Sequence, residues 1–310
     1  MPDRGFENTR PAWYAIGYET FWLHFFPGDG TMNVDHDPIW EKIRAEAEED
    51  AEREPMLASF LYSVVLNHKR LEDALSFILA SKLGSSTVPA VTLRDLIDEA
   101  FASDPSIGVA IRADVEAVVS RDPACSGYSL PLLYFKGFHS IQAYRVAHYY
   151  WRRDRKPLAL YMQSRMSEAF AVDIHPGARL GKALFFDHAT SIVIGETAVV
   201  DDDFSMLHEV TLGGTGKAGG DRHPKIGRGV LIGAGAKVLG NIIIGEGAKI
   251  GAGSVVLEDV PPHCTVAGVP AKQVGYPAYA LPALEMDQQI EHGKTSKRET
   301  ERRKKDDASS

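Results

Sequence analysis

Three short stretches hold most of the side chains able to move a proton or grip a charged substrate. They are Asp173-Ile174-His175-Pro176, Asp187-His188-Ala189-Thr190 and Asp221-Arg222-His223-Pro224. A histidine is the natural general base near neutral pH, and a carboxylate on its far nitrogen fixes the tautomer and stabilises the imidazolium. An arginine grips a carboxylate through two parallel hydrogen bonds. These residue types together can activate a hydroxyl and hold a small charged molecule. The third stretch closes a glycine-rich run at 211–225, and long loops are where binding residues concentrate.

The elements that must position them show in a beat of six. An apolar or small residue recurs at Ile174, Leu180, Phe186, Ile192, Ala198, Phe204 and Val210. It resumes at Ile226, Ile232, Val238, Ile244, Ile250 and Val256, then weakens through Pro262 and Gly268 to Val274. On a helix, positions six apart are rotated by about 240° and would bury no common face. Nine glycines between Gly227 and Gly253, at about 1 kcal/mol each, also exclude a helix. Six is a whole number of strand periods, so short strands point every such residue inward. The beat predicts a parallel β-helix with about 18 residues per coil. It slips between Val210 and Ile226, which marks an inserted loop at 211–225.

The chain has 310 residues, a net charge of −8 and two cysteines, Cys125 and Cys264. The acidic balance argues against a nucleic-acid partner. Two distant cysteines form neither a metal-ligand spacing nor a disulfide framework. With no membrane-length apolar stretch and no secretory signal, the expected location is the cytoplasm. Four parts are expected. Residues 1–35 are an aromatic-rich extension of unclear role, which either packs onto the next part or precedes a start at Met32. Residues 36–172 form an α-helical domain, with stripes such as Leu71, Leu75, Ile78 and Leu79 and a long aromatic helix at 132–151. Residues 173–275 form the β-helix. Residues 276–310 are a tail expected to be disordered, its last part mixing Lys and Arg with Glu and Asp.

These motifs resemble the serine O-acetyltransferase family closely. The likeness rests on the first two stretches above, on Gly195-Glu196-Thr197-Ala198, Thr211-Leu212-Gly213-Gly214-Thr215-Gly216-Lys217 and Gly220-Asp221-Arg222-His223-Pro224, and on Ala267-Gly268-Val269-Pro270-Ala271. It extends into the helical part through Glu54-Pro55-Met56-Leu57-Ala58-Ser59-Phe60, Arg121-Asp122-Pro123-Ala124 and Leu132-Leu133-Tyr134-Phe135-Lys136-Gly137-Phe138-His139. The resemblance implies an α+β multidomain chain, with a helical domain followed by a left-handed parallel β-helix of hexapeptide repeats. It implies acetyl transfer from acetyl-CoA to the L-serine hydroxyl, the first step from serine towards cysteine, with feedback inhibition by L-cysteine.

By that resemblance, His188 is the general base and Asp173 its carboxylate partner. Arg222 and His223 hold the substrate carboxylate, and Asp122 and Asp187 meet its ammonium. Gly214, Thr215, Ala234 and Ala252 make room for the pantetheine arm, Lys249 reaches the CoA phosphates, and no metal takes part. Serine attacks acetyl-CoA directly, and the glycine loop is the candidate source of oxyanion donors. His139, His175 and His208 read as structural, Asp122 has a competing role as a helix-break cap, and Lys249 has one as a solvated lysine.

The resemblance also implies a homo-oligomer, a trimer with two trimers joined through the helical domains. Family members often dock a C-terminal isoleucine into O-acetylserine sulfhydrylase; this chain ends Asp307-Ala308-Ser309-Ser310, which argues against that partner. Three rivals remain at this stage. One is a zinc carbonic anhydrase using His188, His208 and His223; the others are a sugar or xenobiotic acetyltransferase and a non-catalytic scaffold.

Overall fold

The computed structural model describes residues 36–216 and 219–290; the extension 1–35 and the end of the tail lie outside them. The chain divides into two compact units, residues 1–41 and 42–310. In the first, His36 Nδ1 lies 2.9 Å from Glu41 Oε1, and helix α1 (Pro38–Arg53) begins.

The expected apolar stripes become helices. They are α2 (Pro55–Leu61), α3 (Leu71–Leu83), α4 (Ala90–Ser103) and α5 (Pro105–Arg121). Then come α6 (Ser129–Tyr134), α7 (Lys136–Trp151) and α8 (Lys156–Phe170). Asp104 caps α5, accepting from Ser106 N at 3.2 Å, as its side chain and the following proline dictate. Leu61, Leu71, Leu75 and Ile97 are fully buried. The long aromatic helix expected at 132–151 is two helices, α6 and α7. The break is at Phe135, extended at φ −91° and ψ 106°, and in the first turn of α7 a Cβ at Gly137 would stand 2.1 Å from Phe186 O. The helix end lies directly on the β-helix backbone.

A buried polar junction fixes this docking. Asp114, on α5, is fully buried. Its Oδ1 accepts from Leu184 N at 2.9 Å, and its Oδ2 from Gln142 Nε2 at 2.9 Å and Arg145 Nη2 at 2.6 Å. Tyr144 Oη donates to Ala178 O at 2.6 Å. Removing one partner of a buried pair strands the other charge, at about 3–5 kcal/mol. Asp114→Ala is therefore expected to lower unfolding stability by about that amount in urea titration. A loss below about 1 kcal/mol would show that the junction contributes nothing beyond a surface pair.

Among the described residues, fifteen short strands build the β-helix domain. The first face is β1 (Val172–Ile174), β4 (Ile192–Ile194), β7 (Thr211–Gly213), β10 (Lys237–Leu239) and β13 (Val255–Val256). The second is β2 (Arg179–Leu180), β5 (Val199–Val200), β8 (Lys225–Ile226) and β11 (Ile243–Ile244). The third is β3 (Phe185–Phe186), β6 (Ser205–Met206), β9 (Leu231–Ile232), β12 (Lys249–Ile250) and β14 (Thr265–Gly268), closed by antiparallel β15 (Ala271–Gly275). All other pairings are parallel, giving a left-handed β-helix of hexapeptide repeats with about five turns.

Coil length is not uniform. Ile226 pairs with Ile244 and Ile232 with Ile250, both 18 residues on, as expected. Ile174 pairs instead with Ile194, and Phe186 with Met206, 20 residues on. The two extra residues fall in the corner between β3 and β4, where Asp187 and His188 lie. Ile192, Ala198, Phe204 and Val210 are nevertheless buried. A shift of two residues along a strand returns to the same face, so the beat of six passes over the insertion unbroken.

The tail is ordered further than expected. Residues 276–290 lie along the β-helix, with α9 (Pro282–Glu285) and Ala283 fully buried against Leu207 and Leu231. Ser205 Oγ donates to Ala283 O at 2.9 Å. Leu281, Ala283, Met286 and Ile290 supply the apolar contacts, too sparse in sequence to announce an element. The charged stretch from 291 lies outside the described residues.

Candidate active site

Register decides which candidates meet. Phe186, Met206, Ile232, Ile250 and Val266 are successive partners on the third face. Two residues beyond each, where the chain turns towards the first face, come His188, His208, Ala234, Ala252 and Gly268. These five stack as one column along one corner, with two imidazoles at one end and small residues beyond. The rings of His188 and His208 lie 5.8 Å apart, edge to face. Asp187 Oδ2 is 3.7 Å from His188 Nε2. His188 is the open member, with 73 % of its side chain exposed, against 23 % for Asp187.

The corner is built under strain. His188, Ala189 and Ser191 have φ of 55°, 58° and 62°, a region costly to residues with a Cβ, at about 1–3 kcal/mol each. The next corner has Glu209 at φ 60°, and the later ones use Gly235 and Gly253. Backbone bonds hold the strained turn: Ser191 N donates to Ala171 O at 2.7 Å and Glu209 N to Thr190 O at 2.7 Å. Lys136, in the first turn of α7, donates to Thr190 Oγ1. Burial pushes the Asp187 carboxyl above its ordinary range, and nearby Asp122 pushes it the same way, against the pull of His188. A cation placed between Asp187 and Asp122 would relieve both effects.

A second cluster forms at the far edge of the first face. His175 and Gly195 follow the paired Ile174 and Ile194, and the inserted loop returns there with Arg222 and His223. Arg222 Nη2 bonds Glu196 Oε2 at 2.7 Å, and that bond holds the Glu196 carboxyl below its ordinary range. His223 Nδ1 accepts from Thr197 N at 3.2 Å and lies 2.8 Å from Thr197 Oγ1. Thr197 Oγ1 in turn accepts from Arg222 N and His223 N at 3.0 and 3.1 Å. Burial, then Arg222, hold His223 below the usual imidazole range. A neutral ring whose Nδ1 accepts must carry its proton on Nε2, leaving one donor for a ligand oxygen. Only glycine fits at 195, since a Cβ there would meet Nε2 at 2.0 Å. His175 stacks edge-on against Trp151 at 4.9 Å, and its Nδ1 accepts from Gly177 N at 3.0 Å.

Several expected partnerships are not made within one chain. No hydrogen bond joins Asp173 to His188; Asp173 Oδ1 accepts from Gln163 Nε2 at 2.6 Å instead. Asp173 is mid-strand beside Val193, whereas His188 sits in the lengthened corner before β4. Ala234 and Ala252 share the histidine column, but Gly214 and Thr215 belong to the opposite edge. Lys249 is neither solvated nor open to a phosphate: it is buried, and Nζ donates to Gln289 O at 2.6 Å and lies 3.5 Å from Asp287 Oδ2. The tail that covers it was not legible as an element. Asp122 Oδ1 does cap Ala124 N at 2.8 Å, while still acting on Asp187. His139 is structural as expected, buried with Nε2 2.7 Å from Leu132 O. His208 is not merely structural in placement, since it shares the His188 corner; a count of one 18-residue coil from His188 lands on Met206 instead, because this coil is two residues longer. Glu196 and Thr197 were visible in a motif but carried no assigned role.

The comparisons decide between the remaining readings. The serine acetyltransferase N-terminal profile matches residues 39–143, and the bacterial transferase hexapeptide profile, of six repeats, matches 223–258. The serine acetyltransferase of Salmonella typhimurium is 56 % identical over 250 residues, covering 81 % of this chain and 92 % of its own. This chain belongs to the serine acetyltransferases. Among solved structures, a serine acetyltransferase in complex with cysteine superposes with a TM-score of 0.81 at 55 % identity, covering 84 % of this chain and all of its own. The soybean enzyme complexed with serine gives 0.75 at 61 % identity, covering 76 % and 97 %. The Brucella abortus enzyme in complex with coenzyme A gives 0.77 at 55 %, covering 78 % and 97 %. As a serine acetyltransferase, the chain is an acyltransferase. No helix among the described residues is long and apolar enough to cross a membrane. Nor do the described residues include a group of three or more His, Cys, Asp or Glu suited to a metal ion.

Proposed function

We propose that the chain transfers acetyl from acetyl-CoA to the L-serine hydroxyl at a site shared between two copies, one giving the His188 corner and the next the Arg222 corner. The observation that carries this is the separation of the two clusters. They flank a three-residue strand that spans roughly 10 Å, too far for the hydroxyl and carboxylate of one serine to reach both. Apolar side chains left on and beside that face, Val193 and Leu257, support its packing against another copy. Exposed Met56, Leu57 and Phe60 on α2 support the pairing of trimers through the helical domains.

His188 takes the hydroxyl proton as the oxygen attacks the thioester carbonyl, and later supplies a proton to the departing CoA thiolate. Asp122 and Asp187 meet the ammonium. Arg222, exchanging Glu196 for the substrate, and His223 Nε2–H hold the carboxylate. The column of Ala234, Ala252 and Gly268 beyond the histidines is the track for the pantetheine arm, because small residues let it lie close to the backbone. Glycines 213 and 214 remain the candidate oxyanion donors. The solved relatives with serine, cysteine and coenzyme A support these ligands here, with cysteine as inhibitor at the serine site. Free, buried Cys125 and Cys264 fit a reducing cytoplasm.

Free-CoA release is the test, with L-serine against a panel of hydroxyl acceptors and L-cysteine added. The reading expects turnover with serine that cysteine blocks; preference for a sugar hydroxyl would refute it. The shared site has its own check. Mixing His188→Ala chains, which lack turnover, with Arg222→Met chains, which bind serine weakly, and unfolding and refolding them together should restore a fraction of the activity at serine well below the raised KM, because some interfaces then carry both intact halves. No recovery from a mixture that does exchange chains would place both halves in one protomer.

A further inference from the structure

Arg121 ends helix α5 and immediately precedes Asp122. Its side chain is buried. Nη1 donates to Ala183 O at 3.0 Å, Phe204 O at 3.3 Å and Ser205 Oγ at 3.1 Å, and Nη2 to Asp203 Oδ1 at 3.3 Å. Asp203 is shared: its Oδ2 accepts from Arg228 Nε at 2.9 Å and lies 2.8 Å from Arg228 Nη2. Asp203 lies at the coil corner that precedes β6, with φ 60°, like Ala183, Gly229 and Gly247 at the same corner of other coils.

The anchor ties two things that the ammonium site needs together. Ala183, Phe204 and Ser205 flank or begin β3 and β6, the strands that run on to Asp187 and His208. Asp187 N donates to Met206 O at 2.8 Å, so the corner is registered to the same strand pair. On the helical side the chain turns at once after Arg121. Asp122 N donates to Val118 O at 2.9 Å, and Cys125 N to Asp122 O at 3.0 Å. Asp122 therefore has little freedom once the Arg121 guanidinium is docked. Two carboxylates from different domains are thus referenced to one buried cation. Such a cluster contributes little net stability against an apolar replacement, and fixing a geometry is its better-attested use.

We propose that Arg121, held by Asp203, is a positioning residue that sets Asp122 against Asp187 and so makes the site select acceptors bearing an ammonium group. This rests on the ammonium role assigned to the two carboxylates above. Arg121→Met, Arg121→Lys and Asp122→Asn should each be assayed in the full chain with acetyl-CoA. The acceptors are L-serine and 3-hydroxypropanoate, which keeps the hydroxyl and carboxylate but lacks the amino group.

For Arg121→Met the expected result is a rise of about tenfold in the KM for serine and a comparable fall in preference for serine over 3-hydroxypropanoate. The acetyl-CoA KM should stay within about twofold, and Arg121→Lys should recover part of the preference. An unchanged preference with a uniform loss of kcat or melting temperature would make Arg121 merely structural and overturn the inference. Should Arg121→Met fail to fold, Ser205→Ala and Asp203→Asn loosen the same anchor. Each should lower the preference to a smaller extent, and no change in either overturns it equally. Asp122→Asn separates the two layers. If it leaves serine preference untouched, the ammonium reading falls and the inference with it. If it abolishes preference while the anchor variants keep theirs, the inference alone falls.

Discussion

His188→Ala is expected to lower kcat by about a thousandfold or more while leaving the KM for acetyl-CoA unchanged. The base is what makes a hydroxyl nucleophilic enough to attack, and a thousandfold is roughly 4 kcal/mol of transition-state stabilisation. The cofactor track begins at Ala234, two coils beyond His188, so binding of acetyl-CoA does not depend on the imidazole. Steady-state release of CoA measures the first quantity, and protection from thermal unfolding by CoA checks the second. Activity within a few fold of the parent would remove His188 from the mechanism. The companion variants apportion the carboxylates. Asp173→Asn is expected to reduce kcat less than the loss of His188 does. Asp187 lies nearer, at 3.7 Å from Nε2. If Asp187→Asn lowers kcat and Asp173→Asn does not, the orienting role belongs to the neighbour in sequence. Asp187→Asn carries a second consequence. Its carboxyl is raised in the folded chain, so the folding stability linked to it is full below the ordinary carboxylate range and falls as pH rises through the shifted value. At neutral pH the amide should therefore stabilise the free protein even as it weakens serine binding.

Arg222→Met is expected to raise the KM for L-serine by about thirtyfold, with kcat and the acetyl-CoA KM little changed. Losing one partner of a desolvated charge pair costs about 2–5 kcal/mol, and Arg222 is 30 % exposed, so the low end applies. Two kcal/mol is about thirtyfold in affinity. Lysine at 222 keeps the charge but not the planar pair of donors, so it should recover only part of the loss. An acceptor without a carboxylate gives the sharper reading: the variant should barely distinguish serine from ethanolamine. A variant that retained the parent's discrimination would mean that His223 or another group holds the carboxylate. Freeing the guanidinium from Glu196 is part of serine binding on this account, so Glu196→Gln should shift the KM in the opposite direction or not at all.

The beat of six, with its glycines, was enough to specify a β-helix, because inward-facing strand positions must recur at an even spacing whatever surrounds them. The helical stripes of residues 36–172 were legible for the same reason, from Ile43 to Phe101, and so was the Asp104-Pro105 helix start. The residues of the site were named from motifs, and the family they point to is the one the chain belongs to. Their grouping was not legible. A beat of six cannot register the two residues inserted before β4, since Ile192 and Ile194 both face inward; only pairing shows that His208, twenty residues on, stands beside His188. Nor could spacing reveal that Asp173 is tied to Gln163, or that the segment ending at Ile290 covers Lys249. These are contacts between elements far apart in the chain. The local pattern determined which way each strand residue faces. Tertiary packing decided which corner each side chain shares, and it set Arg222 and His188 a full strand apart, because that distance follows from how coils stack and not from any property of the residues themselves.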